Sequence, residues 1–66
     1  MIVVTECRIV TQDWYETETT KTGWDSHGWF FDDGMIMDDS WTVVEHLHFS
    51  KFGNPVKSIA EREVIL

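Results

Sequence analysis

The chain is poor in the residues that staple or anchor a small protein. Cys7 is its single cysteine, which excludes a disulfide within the chain. No Cys/His set has the spacing of a structural zinc site. Yet 66 residues bury only about 60% of the unfolded surface, and chains of this size commonly need help to hold a core. Cations are scarce as well: five Lys and Arg face twelve Asp and Glu, for a net charge of −7. With no basic stripe to neutralise phosphates, direct nucleic-acid binding is not expected. No apolar run approaches the roughly 20 residues of a membrane helix, so no membrane role is expected. The apolar start, Met1 to Val4, is cut off by Thr5-Glu6-Cys7-Arg8, and does not read as a signal peptide. A lone cysteine fits a reducing compartment. The expectation is a cytoplasmic, free-standing small protein with a single domain over residues 1–66.

Aromatic residues and acid are what the chain has in abundance. Four tryptophans, four phenylalanines and one tyrosine can each bury about 150–250 Å². They offer one route to stability; self-association offers another, so a homo-oligomer is expected. The acid is concentrated in the middle. Residues 13–45 hold nine carboxylates against Lys21 alone, a segment charge of −8, while the two ends together carry +1. Such a segment attracts a basic partner surface, although net negative charge also serves plain solubility.

Within that segment lies a doubled acidic unit, Phe31-Asp32-Asp33-Gly34 and Met37-Asp38-Asp39-Ser40. Each has an apolar residue, two aspartates and a small turn residue. Together they bracket Met35-Ile36-Met37. Hard cations take carboxylate oxygens, but the spacing is not that of the twelve-residue calcium loop. Neighbouring aspartates on a strand also point to opposite faces. Aspartate accepts hydrogen bonds from its own backbone two residues on, so both units are expected to be turns that display charge. Trp24, Trp29 and Trp41 flank them and are candidate anchors for a contact, with core filling as the alternative for each.

The remainder reads as β. Ile2 to Val10 is β-branched and apolar on both alternation faces, with Val3, Cys7 and Ile9 on one and Ile2, Val4 and Val10 on the other. A strand of that kind is central or lies at an oligomer contact. Thr11 to Thr22 suits an exposed edge strand. Gly28 to Phe31 suits a short strand, and Trp41 to Phe49 is the clearest one. Gly53-Asn54-Pro55 marks a tight turn leading into a final strand over Val56 to Leu66. A helix at 58–64 competes there, with Ser58 opening a capping box. The fold class expected is mainly β: a small antiparallel sheet or open barrel of four to five strands, with a C-terminal hairpin around Gly53-Pro55.

Catalytic signals are weak. Cys7 reads as inert packing in an apolar strand. No serine elbow or phosphate loop occurs, and no nucleophile has an adjacent base and orienting group. His46 and His48, two apart on a strand, are expected to share a face. This spacing allows metal ligation only if His27 or an aspartate joins them, so no metal or cofactor is expected; pH sensitivity is the more ordinary consequence. The expected function is therefore non-enzymatic. Asp32, Asp33, Asp38 and Asp39 would dock a basic surface of a macromolecular partner, anchored by Trp24, Trp29 or Trp41. An inhibitor or nucleic-acid mimic of the mobile-element type is one such role. The alternatives are an oligomeric binder of a nucleotide or sugar, stacking it between aromatics at a subunit interface, and a purely structural self-associating protein.

Overall fold

A computed structural model of the chain describes residues 1–17 and 23–66. The fold is mainly β, as expected, with no helix among the described residues. Six strands form: β1 (Val3–Thr11), β2 (Trp14–Glu16), β3 (Trp24–Ser26), β4 (Phe30–Phe31), β5 (Thr42–Phe49) and β6 (Pro55–Ile65). Four of them make one antiparallel sheet in the order β4-β1-β6-β5, and β2 pairs with β3 in a second, two-stranded sheet. Of the edge strand expected over Thr11 to Thr22, only Trp14–Glu16 forms β2; residues 18–22 lie outside the described part.

The first and last strands are neighbours. β1 and β6 pair without a break from Val3↔Ile65 to Thr11↔Lys57. This pairing overrides the competing helix at 58–64. Ile59, Val64 and Ile65 are β-branched and favour a pleated surface. Strand geometry also turns Ser58 and Ala60, both fully buried, toward the same side as Val10. Pro55 opens β6, where its missing N–H costs no ladder bond. The hairpin before it is closed by the Gly53 N–H to the Ser50 carbonyl (2.9 Å) and the Ser50 N–H to the Asn54 carbonyl (2.7 Å). Gly53, at φ +87°, takes the left-handed conformation that this turn requires.

β5 departs from the expected alternation. Its pairing with β6 is irregular between Val43 and Glu45 and again between His46 and His48. An extra residue at each bulge shifts the side chains by one face. Val43 and His46 therefore lie opposite Ala60 and Ser58, whereas His48 lies opposite Lys57 on the other face. The expectation that His46 and His48 share a face is corrected accordingly.

The core sits on one face of the large sheet. Val10, Phe31, Trp41 and Ala60 are buried there, with Trp29, Met37 and Val43 packed against them. The chain between β3 and β5 supplies this cover, because Phe31 and Trp41 both turn inward. The opposite face carries Val3, Cys7 and Ile9, all exposed. Cys7 is thus a surface thiol, contrary to its expected burial. No helix of the described residues is long and apolar enough to cross a membrane.

Candidate functional site

The two acidic units do form turns, but they are built differently. In the first, the Gly34 N–H donates to the Phe31 carbonyl at 3.0 Å, and the Phe31 N–H donates to the Met35 carbonyl at 2.8 Å. Phe31 is position one of this turn, and Gly34 closes it at φ +86°. The Asp33 carboxylate accepts the Met35 N–H at 2.9 Å. In the second, the Trp41 N–H donates to the Asp38 carbonyl at 3.3 Å, so position one is Asp38. Its carboxylate accepts the Ser40 N–H at 2.9 Å and the Ser40 hydroxyl as well. The six-residue sequence repeat is therefore out of phase by one residue in space. The self-capping aspartate is the second of the pair in one turn and the first in the other.

Each turn stands over an aromatic ring that carries an arginine. The Arg8 guanidinium lies 3.9 Å from the Phe31 ring centroid, and the Arg62 guanidinium 4.7 Å from that of Trp41. The two rings meet edge-on at 5.2 Å, an arrangement that suits the quadrupoles of both. Arg8 then reaches Asp32 at 3.0 Å and Asp33 at 3.5 Å. The hydrogen bond to Asp32 raises the pKa of Arg8, against a smaller opposing effect of desolvation. Arg62 donates instead to Glu6 at 3.0 Å. Asp38 is held below the ordinary aspartate value, first by the Ser40 hydroxyl and then by the Ser40 N–H, with a lesser contribution from the charge of Arg62.

Between the turns, Met35 and Ile36 project into solvent, 64% and 60% exposed. The two aspartate pairs thus rim a small apolar centre, the general layout of a protein-binding patch. Trp41 does not belong to this surface. At 7% exposure it fills the core, and its role as an exposed anchor is corrected to that of a support beneath the second turn. Trp29 lies at the base of the patch. Its carbonyl accepts the Met37 N–H at 2.8 Å, and its ring stacks on His46 at 6.2 Å. Trp24 is elsewhere, on β3, against Phe52 at 5.0 Å.

Two residues that the sequence did not single out organise the surroundings. Arg8 reaches Asp32 across 24 positions of sequence, and nothing local signals that. Trp14 donates its indole N–H to the Pro55 carbonyl at 2.6 Å, which ties β2 to the start of β6. The Gln12 side-chain amide donates to the same carbonyl at 2.9 Å, and its oxygen accepts the Ser26 hydroxyl at 2.8 Å.

Other clusters offer less chemistry. Ser58 and His46 Nδ1 are 2.7 Å apart, a spacing that suits a nucleophile and its base. The Ser58 hydroxyl is nonetheless fully buried and has no path to a substrate. His27 bonds to Asp13 at 2.7 Å and stacks on Tyr15 at 4.5 Å, an exposed and structural arrangement. Asp13 is held below its ordinary value chiefly by the bond from His27. An open depression of about 270 Å³, lined by Ser40, Thr42, Glu61, Arg62 and Glu63, is smaller than ligand pockets of roughly 300–1,000 Å³. Among the described residues no three His, Cys, Asp or Glu side chains are grouped to hold a metal ion.

No family model, no curated protein and no solved structure matches this chain.

Proposed function

We propose that the chain is a small non-enzymatic binding protein that docks a basic surface of a macromolecular partner through the acid-rimmed patch at residues 32–40. The observation that carries this reading is the unequal charge balance of the two turns. Arg8 compensates Asp32 and Asp33, whereas Asp38 and Asp39 have no arginine within ion-pair distance. Asp38 is moreover held ionised by Ser40. A carboxylate pair with no ion pair among the described residues, beside exposed Met35 and Ile36, suits a surface that places Lys or Arg around an apolar contact. Blocking a nucleic-acid-binding partner by standing where phosphates would sit is one role such a surface fits.

The competing reading, a flat ligand held between aromatics, has less support. Both candidate anchors outside the core already pack against an aromatic neighbour, Trp24 tilted against Phe52 and Trp29 stacked on His46.

The test is a captured partner, followed by a salt titration of the purified complex. Affinity is expected to fall at least tenfold between about 0.05 and 0.3 M salt, since exposed charges are screened over about 10 Å at 0.1 M. Asp38→Asn with Asp39→Asn is expected to reproduce most of that loss at low salt. A complex insensitive to both salt and these substitutions ends the electrostatic reading.

A further inference from the structure

The large sheet has two edges, and they differ. β5 forms one. Its three register irregularities interrupt the row of backbone groups, a common way to keep an edge from pairing. The other edge belongs to β4 only at Val10 and Thr11, where β1 pairs with Phe31 and Phe30. From Val3 to Ile9, β1 has no neighbour on that side among the described residues.

Backbone hydrogen bonds fix which groups are free there. Ile2 and Leu66 exchange N–H···O bonds at 3.5 and 2.7 Å, and the Gln12 N–H donates to the Val56 carbonyl at 3.1 Å. An antiparallel ladder alternates, so the even-numbered residues of β1 bond to β6. Val3, Thr5, Cys7 and Ile9 turn their N–H and C=O groups outward. This edge has no bulge, proline or lysine, three of the devices that blunt one. It is also apolar on both faces: Val3 is 53% exposed, Val4 38% and Ile9 39%.

We propose that the Val3–Ile9 edge pairs with the same edge of a second copy, antiparallel about a two-fold axis at Thr5. Charge favours a second copy as the occupant. The edge carries Glu6 and Arg8 and is neutral, in a chain of net −7. Two copies meet here without opposing acid, whereas a basic partner is drawn to the −8 segment at 13–45 instead.

Charge, clearance of β4 and the number of pairs formed within the strand select the register. A two-fold perpendicular to the sheet sets odd residues opposite odd residues when outward-facing groups bond. An axis at Glu6 places Glu6 directly against its own copy, which like charge disfavours. An axis at Cys7 places the partner's strand opposite Val10, where β4 already lies. An axis at Thr5 sets Thr5 opposite Thr5 of the second copy and Cys7 opposite its Val3. The partner strand then clears β4, Glu6 opposes a valine, and three residue pairs exchange two hydrogen bonds each. The dimer continues the sheet across both copies and buries the apolar edge residues of each.

Light scattering after size exclusion, together with disulfide trapping, tests this. Wild type is expected at twice 7.8 kDa at tens of micromolar. Thr5→Pro removes an outward N–H at a position an edge strand tolerates, and Thr5→Lys sets two cations face to face. Both are expected to raise the dimer dissociation constant at least about 100-fold while keeping the β circular-dichroism signature. In a Cys7→Ser background, Thr5→Cys is expected to form a disulfide dimer under a glutathione couple. Opposed Cα atoms lie about 5.5 Å apart, within the range of about 4.4–6.8 Å that a disulfide spans. Wild-type Cys7 is not expected to do so, because the two thiols are offset by four residues, roughly 14 Å. A monomeric wild type overturns the proposal, as does a dimer that persists in both Thr5 variants. Trapping through Cys7 but not through Cys at position 5 overturns the register.

Discussion

At the first acidic turn, Asp32 and Asp33 lie 3.0 and 3.5 Å from Arg8, which also covers the Phe31 ring. At the second, Arg62 covers Trp41 but gives its ion pair to Glu6, and Asp38 is capped by Ser40 alone. Both turns use an aromatic below, an arginine on the ring and two carboxylates above. They differ in where the arginine's charge goes. One turn has half of its charge neutralised within the fold. The other keeps its charge outward, where a partner can meet it. What decides between them is long-range pairing in the sheet: β1 brings Arg8 beside Phe31, while the Glu6↔Arg62 register hands the second arginine to a strand neighbour.

The comparison breaks most severely at its shared support. Trp41→Ala removes the larger ring of the edge-on pair from a core of four buried apolar residues. Truncating a buried aromatic costs about 3–5 kcal/mol, against a total stability on the order of 3–10 kcal/mol for a chain of this size. The variant is expected to lose its cooperative thermal transition. A melting temperature within a few degrees of wild type would show that Phe31 alone holds the turns.

Next in size is the backbone. Gly34 has φ +86°, and no non-glycine residue of the described part has positive φ, so only the first turn needs a glycine. A Cβ at Gly34 meets no atom within 4 Å, which leaves conformational strain as its only cost. Gly34→Ala is expected to destabilise by about 1–2 kcal/mol, read as a lower denaturant midpoint with unchanged slope. Ser40→Ala, which breaks no such backbone constraint, is expected to cost less. Equal losses would mean that the two turns are alike after all.

Acid separates the turns further. Asp38 has a folded pKa below the ordinary aspartate value. Its contribution to stability is therefore complete above that ordinary value and disappears as pH falls through it to the lowered one. Asp13, lowered mainly by its bond with His27, acts in the same direction. Melting temperatures of wild type and Asp38→Asn, compared from pH 7 to 3, are expected to converge at the acid end while the Asp13 contribution affects both equally. A gap that is constant across the range would remove the charge of Asp38 from the account.

Much of this fold was legible in the sequence. The β-branched run at Ile2–Val10, the turn at Gly53-Pro55 and the strand over Val56–Leu66 follow from local chemistry, and each formed. The aspartates' preference for capping their own backbone was legible too, as was the apolar stretch Met35-Ile36-Met37 between them. The failures all depend on distant residues. A bulge at β5 set His46 and His48 apart, because its extra residue exists only relative to β6. Trp41 went inside because Phe31 and Arg62 wait for it there. Cys7 stayed outside because no described residue covers that face of the sheet. Arg8 joined the first turn by strand pairing across 24 residues, and that one contact divides a sequence repeat into two unlike structures.

The smallest effect is expected at that contact. The Arg8 and Asp32 side chains are 36% and 82% exposed, and ion pairs of this kind contribute little, because water and salt screen them. In a double-mutant cycle of Arg8→Met and Asp32→Asn, the coupling is expected to shift the melting temperature by a few degrees at most. It should vanish near 1 M salt, where charges are screened over about 3 Å. Partner affinity offers the sharper contrast. Asp32→Asn with Asp33→Asn leaves Arg8 uncompensated and so adds positive charge to the rim, yet the second turn keeps its carboxylates. Binding of a basic partner is then expected to weaken less than with Asp38→Asn and Asp39→Asn. If the first pair matters as much as the second, Arg8 releases its carboxylates on binding, and the turn that is partly neutralised in isolation is part of the docking surface.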